Sequence, residues 1–294
     1  MQIEIDNNAG FCFGVDDAIN IAENEIAKNK QLFCLGDIVH NDIEVERLNN
    51  KGLSIIDNLK LKEIKNQTVL IRAHGEPPKT YEIAKENNLN IIDATCPIVK
   101  KLQERVKKAY KDARIGEQII IYGQKGHAEA IGLAGQIENK AIIIEKIDDL
   151  KNIDFEKPIT IFSQTTKSNK DYMLIVEEIE KQIAKTQNKH QLRFNKTVCK
   201  QVAYRDEDLK EFAKKHELII FVSGKKSSNG KMLFEACKKV NPKTYFISHY
   251  QEIEKKWFKN IKSVGISGAT STPRYQLEKV KEYIITTVLT HIIY

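Results

Sequence analysis

Three cysteines, Cys12, Cys96 and Cys199, stand where a thiol can bind a metal. Cys12 lies in Gly10-Phe11-Cys12-Phe13-Gly14, between glycines that let the backbone approach a ligand closely before a helix beginning near Val15. Cys96 lies in Asp93-Ala94-Thr95-Cys96-Pro97, where an acidic strand end meets a proline suited to a first helical turn. Both thiols are expected at helix N-termini, a position that favours the metal-binding thiolate. Cys199, in Thr197-Val198-Cys199-Lys200, opens a third helical stretch with Lys200 and Arg205 nearby. Three thiolates can hold three irons of a cubane cluster and leave the fourth open, whereas an electron-transfer cluster uses four cysteines. An open position separates catalytic from structural centres, by analogy with zinc. The chain has no Cys-x-x-Cys, so a zinc site of three Cys and one His fits the spacing as well. Cys34, within Leu32-Phe33-Cys34-Leu35, and Cys237, in the helical stretch Phe234 to Val240, read as small buried apolar residues.

Three of the seven histidines fall in turns of similar character: Val39-His40-Asn41, Ala73-His74-Gly75 and Gly126-His127-Ala128-Glu129. Imidazolium and backbone N–H groups at such turns suit an anion. Singly each would be a structural histidine; as a trio at strand ends they read as ligand-facing. His190, His216, His249 and His291 sit in polar or helical surface contexts. Ser227-Ser228-Asn229-Gly230 and Ala269-Thr270-Ser271-Thr272 offer hydroxyl and amide donors without a Walker-type Gly-Lys-Ser, although ordinary helix capping uses the same residues. Glu129 is the one acid beside a candidate anion-binding histidine, placed to supply protons or simply to sit in a first helical turn.

These residues need elements to hold them, and the chain's rhythm supplies a recurrent one: a short β-branched run, a polar turn, then an amphipathic helix, which signals parallel-sheet α/β architecture. Val69-Leu70-Ile71, Ile119 to Tyr122, Ile159 to Phe162, Leu218 to Val222 and Val264-Gly265-Ile266 are such runs, leading to His74, His127, Gln164-Thr165-Thr166, Ser223-Gly224 and Ser267 to Pro273. Helical stripes recur at Val15, Ala18, Ile19, Ala22 and Ile26, and at Val99, Leu102 and Val106. The rhythm divides by three, with polar turns at His40 and His74, at His127 and Thr165, and at Asn229 and Ser271; a cysteine precedes or opens each block. Three small α/β units are expected, over 14–97, 98–195 and 196–283, the last joined by residues 1–13, with 284–294 as a tail. Each would present strand-end turns, where open parallel sheets bind ligands.

Composition sets the outer limits. The net charge is +7, with Lys and Arg taken as dispersed over solvated faces such as Lys100, Lys101, Lys107, Lys108 and Lys111, and aromatic content is 7%. A nucleic-acid reader would concentrate such charge with interleaved aromatics; a dispersed surplus also suits a small anion or an acidic redox partner. Met1 to Phe11 lacks the basic and apolar regions of a secretory signal, so the mature chain is expected to start at Met1 in the cytoplasm. The run Ile284 to Tyr294 is interrupted by Thr286, Thr287, Thr290 and His291 and is too short to span a bilayer. No Gly-x-Gly-x-x-Gly follows a strand, so no dinucleotide site is expected.

Taken together, Gly10-Phe11-Cys12-x-Gly14-Val15, Val39-His40-Asn41, Ala73-His74-Gly75, Asp93-Ala94-Thr95-Cys96-Pro97, Gly126-His127-x-Glu129, Gln164-Thr165-Thr166, Ser227-Ser228-Asn229 and Ser271-Thr272-Pro273 closely resemble, in order and from Ile3 to about Tyr283, the LytB family of 4-hydroxy-3-methylbut-2-enyl diphosphate reductases. The resemblance implies a trefoil of three small α/β domains around a [4Fe-4S] cluster with three cysteine ligands, Cys12, Cys96 and Cys199, and one open iron. It implies that the substrate hydroxyl binds that iron, that His40, His74, His127, Ser227, Ser228, Asn229 and Ser271 hold the diphosphate, and that Glu129, helped by Thr165, delivers the protons that release water. Two electrons from an external flavodoxin or ferredoxin would give an allyl anion and then isopentenyl or dimethylallyl diphosphate, the last step of non-mevalonate isoprenoid synthesis. The chain departs from the family pattern after the third cysteine, where Cys-x-Ala-Thr-x-x-Arg becomes Cys199-Lys200-Gln201-Val202 with Arg205 kept in place, and at Gly268-Ala269-Thr270-Ser271, where Gly-Ala-Ser is commoner. Two other readings use the same residues: a non-catalytic iron-sulfur or zinc redox sensor, and, least favoured, a basic nucleic-acid module.

Overall fold

The protein is described by a computed structural model covering residues 1–187 and 190–288, with Val202 and Val288 described in their backbone only. Its strands are β1 Gln2–Ile5, β2 Leu32–Leu35, β3 Leu53–Ile56, β4 Thr68–Ile71, β5 Asn90–Asp93, β6 Gln118–Tyr122, β7 Ile142–Ile144, β8 Ile159–Ser163, β9 Arg193–Phe194, β10 Leu218–Val222, β11 Thr244–Ile247 and β12 Ser263–Gly268. The helices are α1 Phe13–Asn29, α2 Asp42–Asn49, α3 Asn58–Glu63, α4 Pro78–Glu86, α5 Pro97–Lys111, α6 Ala128–Gly135, α7 Asn169–Ile183, α8 Lys200–Lys214, α9 Ser228–Val240 and α10 Arg274–Tyr283. The strands form three four-stranded sheets, ordered β1-β12-β10-β11, β3-β2-β4-β5 and β7-β6-β8-β9, in which every pairing is parallel. The α/β class and the threefold rhythm expected from the sequence are therefore present.

Contacts group the chain into two compact units, one of residues 1–23, 37–52 and 200–294, the other of residues 24–36 and 53–199. In the first, Ile220, Val222 and Ile266 face one core with Leu277 and Val280, while Ile219 and Phe221 face another with Leu233 and Cys237. The alternation buries both faces of the sheet under helices, which is why its strands read as unbroken apolar runs. In the second unit Ile120 and Ile161 pack with Tyr172, Ile175 and Ile179, and Ile119, Ile121 and Phe162 pack with Leu102, Val106 and Leu133. The sheet of β2 to β5 is anchored by Leu35, Val69 and Ile71. Cys34 and Cys237 are fully buried, as expected of core residues.

A buried ion pair fastens the segment that leads to Cys12. Arg205, 4% exposed on α8, donates to Asp6 just past β1 and to Ser267 on β12, each at 2.6 Å. Asp6 also accepts from the Ser267 hydroxyl at 2.9 Å, and its backbone carbonyl from Arg274 at 2.9 Å. Arg205→Leu strands the Asp6 carboxylate in the interior and is expected to cost about 3–5 kcal/mol of stability, read from urea unfolding, because losing one partner of a buried pair leaves an uncompensated charge.

His216, expected at the surface, is instead buried at 7% and packs its ring 4.6 Å from Phe212, because Gly265 opposite it leaves room for an imidazole. Burial pushes its pKa down. No helix among the described residues is long and apolar enough to cross a membrane. His291 and most of the 284–294 tail lie outside the described residues.

Candidate active site

Each cysteine follows the outermost strand on one edge of a sheet, and each has its peptide N–H held by the turn after the neighbouring strand. Cys12, between β1 and α1, donates to the Thr270 carbonyl past β12 at 3.1 Å. Cys96, between β5 and α5, donates to Ala73 past β4 at 3.0 Å, and Cys199, between β9 and α8, to Thr165 past β8 at 2.8 Å. All three thiols thus sit at the start of a helix, at carboxyl ends of parallel strands. By spacing each cysteine precedes or opens a block, whereas the unit bounds 14–97 and 196–283 with 1–13 put Cys96 in the first unit and Cys12 with the last. Cys96 and Cys199 close the sheets that precede them, and Cys12 joins the last sheet because β1 pairs with β12.

In the first unit lie Cys12, His40, Ser227, Ser228, Asn229 and Ser271. Ser227 caps α9, its hydroxyl accepting from Gly230 N–H at 3.0 Å and from the Ser271 hydroxyl at 3.1 Å. With its lone pairs so used, the Ser227 proton is free to donate outward, toward an anion at the α9 N-terminus. Asn229 donates from Nδ2 to Thr270 Oγ1 at 2.6 Å, while its Oδ1 is buried without a partner among the described residues. Asn41 caps α2 and donates to the Ser271 carbonyl at 3.2 Å and to Gln276 at 3.0 Å. The His40 turn lies so close to Gly224 that a Cβ there would collide with the His40 carbonyl, so only glycine permits the approach.

In the second unit lie Cys96, Cys199, His74, His127, Glu129 and Thr165. His127 caps α6, with Nδ1 accepting the Glu129 N–H at 3.1 Å. A neutral imidazole that accepts at Nδ1 carries its proton on Nε2, so this ring presents a donor. The His74 ring stands edge-on to it, centroids 5.2 Å apart. Gly75, at φ +71°, makes the left-handed turn after His74 and lies so close to the Gln103 and Thr95 side chains that a Cβ there would collide with both. Thr95 in turn donates its N–H to Asp93 at 3.0 Å and its hydroxyl at 2.5 Å, bracing the loop that ends at Cys96.

Glu129 is 1% exposed, and both of its oxygens are held by Thr165, one by the N–H at 2.7 Å and the other by the hydroxyl at 2.9 Å. Burial raises its pKa to about 7 against the pull of the Thr165 hydrogen bonds. A carboxyl with such a pKa can take up and release a proton near neutral pH. Cys96 departs from expectation. The Ile98 and Val99 N–H groups of α5 do draw its pKa down, but burial outweighs them, and nearby Cys199 and Glu129 add to the rise. A cation at this thiol would remove that penalty, and thiols seated beside one another on main-chain donors form a donor set suited to a soft metal or an iron-sulfur centre.

Sequence reasoning passed over Asn41, Thr270 and Gln164 as side chains that tie turns together. Gln164, fully buried, accepts from Gln124 N–H at 2.9 Å and donates to Thr166 at 2.8 Å, joining the turns after β6 and β8. Their polarity inside motifs was the available signal. The side chain of Val202, where the family threonine is absent, lies outside what is described.

Parallel α/β sheets that each present a thiol at a helix start, with a buried carboxyl of raised pKa in the unit that holds two of them, fit a metal-dependent oxidoreductase. The chain belongs to the LytB protein family, whose pattern it matches over residues 3–285. It is 52% identical over 285 residues to the 4-hydroxy-3-methylbut-2-enyl diphosphate reductase of Bacteroides fragilis, covering 97% of each chain, and 47% identical over 287 residues to that of Porphyromonas gingivalis, covering 97% of this chain and 98% of the relative. Its structure is similar to that of the E-1-hydroxy-2-methyl-but-2-enyl-4-diphosphate reductase from Plasmodium falciparum, with a TM-score of 0.85, 27% identity and coverage of 97% and 88%. A second structure, of (E)-4-hydroxy-3-methyl-but-2-enyl diphosphate reductase, the terminal enzyme of the non-mevalonate pathway, gives a TM-score of 0.71 with 34% identity over 97% of this chain and 99% of that one.

Proposed function

We propose that this chain reduces (E)-4-hydroxy-3-methylbut-2-enyl diphosphate, in the cytoplasm, to isopentenyl and dimethylallyl diphosphate. The substrate takes up two electrons and two protons, its C–O bond breaks, the oxygen leaves as water, and a C–H bond forms. Cys12, Cys96 and Cys199 are the ligands of a [4Fe-4S] cluster, which when bound supplies the electrons and a Lewis-acidic iron at the substrate. The observation that carries the reading is Glu129, a buried acid held neutral near pH 7 in the same unit as Cys96 and Cys199.

The chain's own groups divide the remaining work. His127 Nε2–H, His74, His40, the Ser227 and Ser228 hydroxyls at the start of α9, Asn229 and Ser271 hold the diphosphate; donors at a helix start suit that charge without desolvating a fixed cation. Glu129 releases a proton toward the leaving oxygen, and Thr165, bonded to both its oxygens, keeps the carboxyl aimed and relays the proton. An external flavodoxin or ferredoxin delivers the electrons. Purified without oxygen, the protein is expected to be brown and oxygen-sensitive and to turn over the hydroxylated diphosphate with reduced methyl viologen. Stoichiometric zinc and no iron in such a preparation would overturn the assignment in favour of a zinc site.

A further inference from the structure

The positive charge of this chain is not dispersed. Helix α5 carries Lys100, Lys101, Arg105, Lys107, Lys108 and Lys111 against Glu104 alone, six cations less one carboxylate, or +5 of the chain's net +7. The other helices of fifteen or more residues are balanced or acidic: α8 has four cations and four carboxylates, α7 has two cations against four carboxylates, and α1 has Lys28 against four carboxylates. Val99, Leu102 and Val106 bury one face of α5, so its cations are turned to solvent. Lys101, Arg105 and Lys108, all exposed, are spaced i, i+4, i+7 and form one strip. Lys100 pairs with Asp93 at 3.0 Å, but Lys101, Arg105, Lys107, Lys108 and Lys111 have no carboxylate within ion-pair distance among the described residues. Like charges crowded on one helix cost stability, by a few tenths of a kcal/mol per pair at about one-turn spacing. A fold that keeps them uncompensated leaves a surface ready for an anionic counterpart.

The position of this strip matters as much as its sign. Cys96 is the residue immediately before α5, and Lys100 N–H bonds back to the Cys96 carbonyl at 2.9 Å. Lys101 stands about 8 Å from Cys96 along the helix axis, at a rise of about 1.5 Å per residue. The chain carries no dinucleotide fingerprint of its own, so its electrons must come from another molecule. We propose that the exposed face of α5 is the docking surface for an acidic electron-carrier protein, seated on Lys101, Arg105 and Lys108 so that electrons enter beside Cys96. This rests on the reductase reading above. Each transfer oxidises the carrier by one electron, and two transfers supply the pair that the substrate takes up with two protons. Such encounters are small, charge-steered and short-lived, which suits a carrier that must leave after each delivery.

The test uses the anaerobically purified holoenzyme and the triple variant Lys101→Glu, Arg105→Glu, Lys108→Glu, with a flavodoxin as the acidic probe. Wild type should bind flavodoxin with an affinity that falls steeply as salt is raised. The variant should bind about tenfold or more weakly, with the salt dependence largely gone. The KM for flavodoxin should rise by a similar factor, while kcat with reduced methyl viologen, which needs no docking surface, stays within about twofold. Unchanged flavodoxin binding in the variant would overturn the proposal, as would an equal loss with both donors. An RNA oligonucleotide that binds the wild type more tightly than flavodoxin, and is lost in the variant, would also overturn it and assign the strip to nucleic acid. A wild-type holoenzyme inert toward the viologen would remove the reductase reading itself, and the binding arm would then decide whether α5 recognises the acidic protein at all.

Discussion

Replacing Glu129 with Gln is expected to lower kcat by about 10²–10⁴-fold, the usual contribution of a positioned general acid, while leaving the iron content unchanged. The amide is close in size: its oxygen can accept from the Thr165 N–H and its NH2 can donate to the Thr165 hydroxyl oxygen, so the seat survives and only the transferable proton goes. A redox sensor built on the same thiols would have no turnover to lose. The pH profile provides the matching signature. The carboxyl is protonated below about 7, so kcat limited by its proton should be flat at lower pH and fall about tenfold per unit above that value. Stability follows with a definite sign. The folded-state pKa lies above the unfolded value, so the favourable contribution of neutral Glu129 is complete below about 4.5 and is lost as pH rises through about 7. The Gln variant, which never ionises, should therefore gain on wild type at pH 8, by up to about 3 kcal/mol for a shift of this size, and show little advantage at pH 4. Thermal unfolding at the two pH values checks this; a kcat that is level from pH 6 to 9 would exclude Glu129 as the proton source.

The second large effect concerns the thiols. Cys12→Ser, Cys96→Ser and Cys199→Ser should each abolish reduction and lower iron from about four per chain to a small residue, since a cubane held by three protein ligands has none to spare. Cys34→Ala and Cys237→Ala should keep both iron and activity, with a modest loss of stability from the space left in the core. The Cys34 thiol donates to the Gly36 carbonyl at 3.3 Å and the Cys237 sulfur lies 3.5 Å from the Thr244 hydroxyl, both at fully buried strand and helix positions. The set discriminates because no disulfide links these five cysteines, so each substitution reports on one thiol. Full iron in any one of the first three variants would remove that residue from the ligand set.

How much of this was readable from the residues is uneven, for physical reasons. The strands announced themselves because sheets covered on both faces need unbroken apolar runs, as at Leu218–Val222 and Ile159–Ser163. The turns were legible because strand ends collect polar residues. Cys12 was read two ways, by spacing ahead of the first block and by the unit bounds with the last; β1 pairs with β12, and the register of that pairing left no trace in the spacing. The thiolate expected at Cys96 was argued from the helix start alone; burial, which the sequence does not display, pulls the other way and prevails. Thr270 was read as one of several hydroxyls in its turn and as a departure from a familiar order, whereas its hydroxyl meets Asn229 and its carbonyl meets Cys12. The concentration of charge on α5 was countable from the start, but it acquires meaning only once the helix is seen to begin at a cysteine.

The peptide groups of Cys12, Cys96 and Cys199 are each secured by the adjoining strand-end turn of their own sheet. Apoprotein can therefore finish folding before any iron arrives, and cofactor maturation becomes a loading step on a ready scaffold. Depletion of iron in a cell would accumulate folded, inactive chains awaiting insertion, a reservoir that regains activity without new synthesis.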